Sequence, residues 1–220
     1  MKDLKETSLA DIERLWPMEI EKKSFELITQ EGGSRIPGDE RAMIIKRVIH
    51  TTADFDYIEN LYFSPGAVEK ALKALENGAW IVTDTTMALS GINKKSLQKA
   101  GGEARCFIGD EDVARKAKEL GVTRASVCVD KAADIKQPLI YAVGNAPTAL
   151  VRLYEKIREG TIKPELIIGV PVGFVNVEAS KELIMQTEIP CIVARGRKGG
   201  SNVAAAICNA LLYMLDGSRK

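Results

Sequence analysis

The sequence predicts an α/β domain: a doubly wound, mostly parallel five-stranded sheet with helices on both faces. Three observations lead there. Short apolar runs alternate with helix-like segments along the chain. The runs are continuous rather than alternating, as in Leu139-Ile140-Tyr141-Ala142-Val143, which is how a strand covered on both faces reads. Three of them pass straight into a glycine turn and then a helix-like segment.

In order, Leu9 to Gln30 reads as a helix. Asp11 is placed to cap it, and Ile12, Leu15, Trp16 and Ile20 recur near helical spacing, while Pro17 must restart or kink it. After a glycine-rich loop, Asp39 caps a second helix through Ile49, with Met43 and Arg47 one turn apart. Tyr57 to Phe63 fits an edge strand. Ser64-Pro65 opens a helix to Glu76, because proline is preorganised for the first helical turn. Ala79 to Val82 is a buried strand ending in Thr83-Asp84-Thr85-Thr86-Met87. A short helix near Lys94 to Lys99 follows, then a strand from Ala104 to Ile108. Helices from Asp110 to Leu120 and from Thr123 to Ala133 lead into the glycine-turn units. No linker, low-complexity tract or repeat interrupts residues 1–220, which read as one domain. Five strands in one open sheet suit a flavodoxin-like architecture.

The turns are Gly144-Asn145-Ala146-Pro147-Thr148, Gly169-Val170-Pro171-Val172-Gly173-Phe174 and Gly196-Arg197-Lys198-Gly199-Gly200-Ser201-Asn202. A strand, a glycine turn and a helix start together offer backbone N–H groups and a positive dipole end. Three on one sheet edge suggest a site for a large anionic ligand; the alternative is three ordinary helix starts. The last helix, Val203 to Leu215, is apolar nearly all round, which points to the core or to a subunit interface.

Composition excludes several classes. A net charge of +1 gives no basic excess for nucleic acid. No apolar run approaches the ~18 residues of a membrane span. The N-terminal stretch Met1 to Glu6 lacks a leader's apolar run, so a cytoplasmic protein is expected. Cys106, Cys128, Cys191 and Cys208 are scattered, and with a single histidine they argue for buried thiols rather than a metal site. Neither dinucleotide nor nucleoside-triphosphate fingerprints occur, nor a hydrolase elbow.

His50 is the one residue with an imidazole, at the end of a predicted helix. Imidazole is the natural proton donor or acceptor near neutrality. A helix C-terminus and nearby Asp54 favour the charged form, suiting it to be an acid; a helix cap is the alternative. Asp84 follows a strand, where α/β enzymes place site residues, or else caps a turn. Asp110, Glu111 and Asp112 read as compensation of a helix dipole. Arg195, Arg197 and Lys198 surround a glycine turn and Arg124 begins a helix; arginine forks there match planar carboxylates, or stand as solvated charges.

Taken in order, these residues resemble the precorrin-8X methylmutase family, also called cobalt-precorrin-8 methylmutase, of cobalamin biosynthesis. The resemblance spans nearly the whole chain. It runs through Lys23-Ser24-Phe25, Val48-Ile49-His50, Phe63-Ser64-Pro65, Asp84 with Met87 and Thr123-Arg124. It continues through Gly144 to Leu150, Gly169 to Val175, Ser180-Lys181 and Arg195-Gly196-Arg197 with Gly199-Gly200-Ser201. Thr83 to Ser90 matches only in part.

The resemblance implies a flavodoxin-like homodimer that moves a methyl group from C-11 to C-12 of a corrinoid tetrapyrrole, giving hydrogenobyrinate or cobyrinate. It implies no organic cofactor, since the shift is intramolecular and formally 1,5-sigmatropic. The family's catalytic histidine falls on His50, and its substrate-contacting serine and arginine on Ser24 and Arg124. Asp84, Asn145, Gly173, Arg195, Arg197, Gly199, Gly200 and Ser201 complete the expected contacts, with the turn amides and arginines receiving the macrocycle's carboxylates. The competing readings are a non-catalytic tetrapyrrole carrier on the same scaffold and a nucleotide-dependent α/β enzyme.

Overall fold

The computed structural model describes residues 8–217. The stretch Met1 to Glu6, expected to carry no leader, lies outside them. The expected first helix divides in two. Ser8, not Asp11, caps a single 3₁₀ turn at Leu9–Asp11, and α1 (Pro17–Gly32) starts afresh with its proline in the first turn. Proline has no N–H to continue a preceding helix, so the restart falls there. Next come α2 (Arg41–Thr52), α3 (Tyr57–Asn60) and β1 (Leu61–Phe63). The predicted edge strand is therefore half helix. α4 (Ala67–Glu76) leads into β2 (Trp80–Thr83).

Thr85 then caps a helix that the sequence reading missed, α5 (Thr86–Gly91), followed by α6 (Lys94–Lys99). The next strand shortens to β3 (Ala104–Arg105), before α7 (Glu111–Leu120) and α8 (Arg124–Ala132). The rest is β4 (Leu139–Val143), α9 (Pro147–Arg158), β5 (Leu166–Gly169), α10 (Val177–Met185), β6 (Cys191–Ala194) and α11 (Ser201–Asp216).

The sheet has six strands, not five, in the order β1-β6-β5-β4-β2-β3. β3, β2, β4, β5 and β6 are parallel, and β1 adds antiparallel outside β6 with Leu61 opposite Ala194. Within the parallel set the order is that of a flavodoxin-like sheet, whose chain reverses direction of travel between β2 and β4. The crevice above that reversal is where such sheets hold ligands.

One core fills each face. Ile44, Val48, Ile81, Ile140, Ile168 and Leu211 belong to the face covered by α2, α4 and α11. Tyr141, Val143, Leu150, Leu153, Ile167 and Val193 belong to the face covered by α8, α9 and α10. The all-round apolar helix is covered inside one chain: α11 packs on α2, α4, α5 and the sheet, leaving Leu211 and Leu212 each 1% exposed. Its hydrophobicity is thus spent on the core and gives no ground for an interface through Leu211 or Leu212. Among the described residues no helix is long and apolar enough to cross a membrane.

Candidate active site at the end of α2 and the sheet switch point

His50 occupies the last turn of α2 and is solvent-exposed. Ser24 on α1 reaches across so that its Oγ lies 2.8 Å from His50 Nδ1. When the ring is protonated, Nδ1–H donates to the Ser24 hydroxyl and Nε2 keeps its own N–H, which has no protein partner among the described residues. Phe25, the next residue, stacks on the imidazole with centroids 5.3 Å apart and planes 26° from parallel. Arg47, one turn before His50, sits 5.0 Å from the Phe25 centroid and 4.6 Å from that of Tyr213, and its guanidinium donates to Glu21 Oε1 at 3.1 Å. This largely buried arginine ties α1 to α2 at the level of the Ser24–His50 pair. Asp54 does not serve the imidazole as expected. It pairs with Lys198 at 2.6 Å; burial works to raise its carboxyl, but Lys198 and the Asp56 N–H outweigh it and hold it below the usual range.

Asp84 is 2% exposed at the end of β2, facing the turn after β4. Its Oδ1 accepts the Gly144 N–H at 2.8 Å, and its Oδ2 accepts those of Asn145 at 2.8 Å and Ala146 at 2.7 Å. Burial raises the carboxyl above its ordinary range, and the three donors act against that. The first glycine turn therefore gives these amides to an internal carboxylate rather than to a ligand. Glycine is required at 144 because a Cβ there would stand 2.7 Å from Ser201 Cα. That contact seats the turn on the first residue of α11, where Ser201 Oγ meets Thr85 Oγ1 at 2.8 Å. Above lies a 340 Å³ hollow walled by Asp84, Thr85, Thr123, Arg124, Asn145 and Thr148. Arg124 and Asn145 are exposed there, and Thr123 Oγ1 meets Thr148 Oγ1 at 2.8 Å to join the two helix starts.

The second and third turns are bound to each other. Gly173 N–H donates to the Arg197 carbonyl at 3.1 Å, and Gly200 N–H to that of Val170 at 2.9 Å. A Cβ at Gly199 would lie 2.1 Å from the Val170 oxygen, so only glycine allows this approach. Lys181 on α10, 1% exposed, donates from Nζ to the Gly196 carbonyl at 2.7 Å and the Lys198 carbonyl at 2.9 Å. Burial brings its ammonium down to about 8, with Glu178 opposing. Arg195 and Arg197 are exposed, as expected of carboxylate receivers, yet both already face partners. Arg197 Nε donates to Glu178 at 2.9 Å, and Arg195 lies 5.3 Å from the Tyr62 centroid.

The predicted residues thus form two groups. Ser24 and His50 pair between α1 and α2, while Arg124, Asn145, Asp84 and Ser201 gather at the switch point, adjoined by the mutually bonded second and third turns with Gly173, Arg195, Arg197, Gly199 and Gly200. The Lys198 clasp on Asp54 and Asp56 connects that turn to the loop after α2. A larger groove of 1160 Å³ opens between α1 and α2, walled by Phe25, Met43, Arg47 and Met214. Its rim sets Glu19, Glu21, Glu26, Asp39 and Glu40 against Lys22, Lys46 and Arg47, an acidic excess unsuited to a polycarboxylate. Phe25, Arg47 and Lys181 escaped the sequence reading as functional. Arg47 carried a signal, since three residues before His50 on a helix places it on the same side. Nothing in the sequence marks Lys181 as buried.

The sequence model of the precorrin-8X methylmutase family matches residues 19–214. The chain is 48% identical over 205 residues to a cobalt-precorrin-8 methylmutase of Salmonella typhimurium, covering 90% of this chain and 96% of that one. It is 44% identical over 200 residues to a cobalt-precorrin-8 methylmutase of Priestia megaterium, covering 91% and 89%. The crystal structure of a precorrin-8x methyl mutase from Thermus thermophilus superposes with a TM-score of 0.84 at 39% identity, covering 92% of this chain and 98% of that one.

Proposed function

The chain belongs to the precorrin-8X methylmutase family, and from that premise we propose how its residues carry out the methyl shift. It is an isomerase of cobalamin biosynthesis that moves a methyl group from C-11 to C-12 of precorrin-8X or its cobalt form. The observation that carries the site assignment is the Ser24–His50 pair. His50 lends a proton from Nε2 to the conjugated ring, drawing electron density toward it and easing migration. The proton returns once the methyl has moved, because substrate and product are isomers. Ser24 accepts the Nδ1 hydrogen before and after the transfer, so the imidazole need not turn. Proton transfer of this kind contributes ~10²–10⁴-fold.

Arg124 at the switch-point hollow, with Asn145 beside it, is assigned to one edge of the macrocycle and its carboxylates. Asp84 then acts through the turn it holds rather than by touching substrate. Both relatives named above carry the cobalt-substrate name, which favours cobalt-precorrin-8. Four unpaired cysteines suit a reducing compartment, in keeping with the cytoplasm.

A homodimer is part of the proposal, on different surface than α11. Leu9, Ile12, Trp16, Ile20 and Leu27 are large apolar residues left more than half exposed on and before α1. Light scattering should give twice the chain mass, and Trp16→Glu with Ile20→Glu should halve it. Incubation with metal-free and cobalt-loaded substrate, side by side, tests the activity. An absorbance change without a mass change is expected. Binding without conversion would instead make the chain a tetrapyrrole carrier.

A further inference from the structure

We propose that Lys181 is a positioning residue, one that turns the Arg197 and Gly199 amides outward to receive a carboxylate of the substrate. The inference rests on the methylmutase reading and adds to it the group that shapes one subsite. The sequence motif Ser180-Lys181 has no other task in that reading, and a fully buried ammonium is costly unless it is well paired.

The geometry follows from peptide planarity. In a trans peptide the C=O and the following N–H point in opposite directions. Lys181 Nζ takes the carbonyls of Gly196 at 2.7 Å and Lys198 at 2.9 Å. The N–H groups of Arg197 and Gly199 are thereby directed to the side away from Lys181. Gly173 fixes the intervening Arg197 carbonyl at 3.1 Å, so three successive peptides of the turn are held. Among the described residues neither the Arg197 nor the Gly199 amide has an acceptor.

Around the glycine turns, the other groups that resemble carboxylate receivers are already occupied. The amides of Gly144, Asn145 and Ala146 bind Asp84. The Arg197 side chain faces Glu178, and Lys198 faces Asp54 and Asp56. The main chain of the third turn is what remains, with an ammonium behind it that strengthens its positive field. Two outward amides, two residues apart, match the two oxygens of a carboxylate.

Lys181→Met keeps the side-chain length and removes the charge. Charge-assisted hydrogen bonds of this class are worth roughly ten- to a hundred-fold in binding. KM for the free-acid pigment should rise by that factor, with kcat within about threefold of the parent. The parent should also prefer the free-acid pigment over its methyl esters, and the variant should show a weaker preference. An unchanged KM and preference in folded Lys181→Met would overturn the assignment. So would equal losses for free acid and ester, the mark of a merely structural lysine. If the variant does not fold, amide NMR of the parent decides: the Arg197 and Gly199 resonances must move when pigment is added, and unmoved resonances reject the proposal. A parent that neither binds nor converts pigment would overturn the methylmutase reading itself and this inference with it.

Discussion

Ser24 Oγ lies 2.8 Å from His50 Nδ1, a contact between neighbouring helices that leaves Nε2 without a protein partner among the described residues. Two residues distant in sequence thus act as one unit. His50→Ala should reduce conversion by ~10²–10⁴-fold while leaving pigment binding intact. Because His50 is exposed, unfolding free energy should stay within about 0.5 kcal/mol of the parent. Ser24→Ala should lower turnover more modestly, by about tenfold, and the double variant should match His50→Ala alone. Stopped assays following pigment absorbance measure all three. Independent, multiplying losses would separate Ser24 from the imidazole.

Arg124 is exposed at the first turn of α8, on the wall of the switch-point hollow, and no carboxylate side chain is bonded to it among the described residues. Arg124→Ala should weaken pigment binding roughly ten- to a hundred-fold in a titration. Arg197→Ala should cost less, because Arg197 is already bonded to Glu178 at 2.9 Å. An unaltered affinity in Arg124→Ala would return that residue to the solvated surface.

Asp84 is an acceptor for three amides at once, a task asparagine cannot perform, since its NH₂ would meet donors. Asp84→Asn should destabilise the fold by about 1–3 kcal/mol in denaturant titration and raise KM through the displaced Asn145. A variant as stable as the parent would show the turn to be held by other contacts.

The Asp54–Lys198 pair gives a pH dependence of defined sign. The folded carboxyl is depressed, so its stabilisation is complete above the ordinary value of about 3.9 and fades as pH falls through the lower folded value. Partial exposure limits it to about 1 kcal/mol or less. The stability difference between the parent and Asp54→Asn should be present at pH 6 and shrink as pH falls below about 3.9. A difference that persists in acid would point to packing rather than charge.

Much of the architecture was legible because continuous apolar strands and glycine turns signal buried parallel sheet locally. Pro17 announced the break before α1. The edge strand was legible in place but not in extent, because whether Tyr57–Asn60 or Leu61–Phe63 is extended is settled only by pairing with β6. α11 was legible as apolar but not as internal, since whether a face meets its own chain or another is a tertiary fact. His50 was legible by being the sole imidazole. The roles of Asp84 and Lys181 were not: Asp84 meets amides some sixty positions later, and a lysine's burial depends on what closes over it.

The margins of the sheet bear on how copies of this protein meet. β1 offers three residues and β3 only two, so each flank is too short to template a further strand. Merging two sheets into one across a subunit boundary is thereby disfavoured, as is the ribbon-like stacking that leads to fibrils. Any stable pairing has to be made by side chains on helices, which is specific and reversible in a way that open main-chain edges are not.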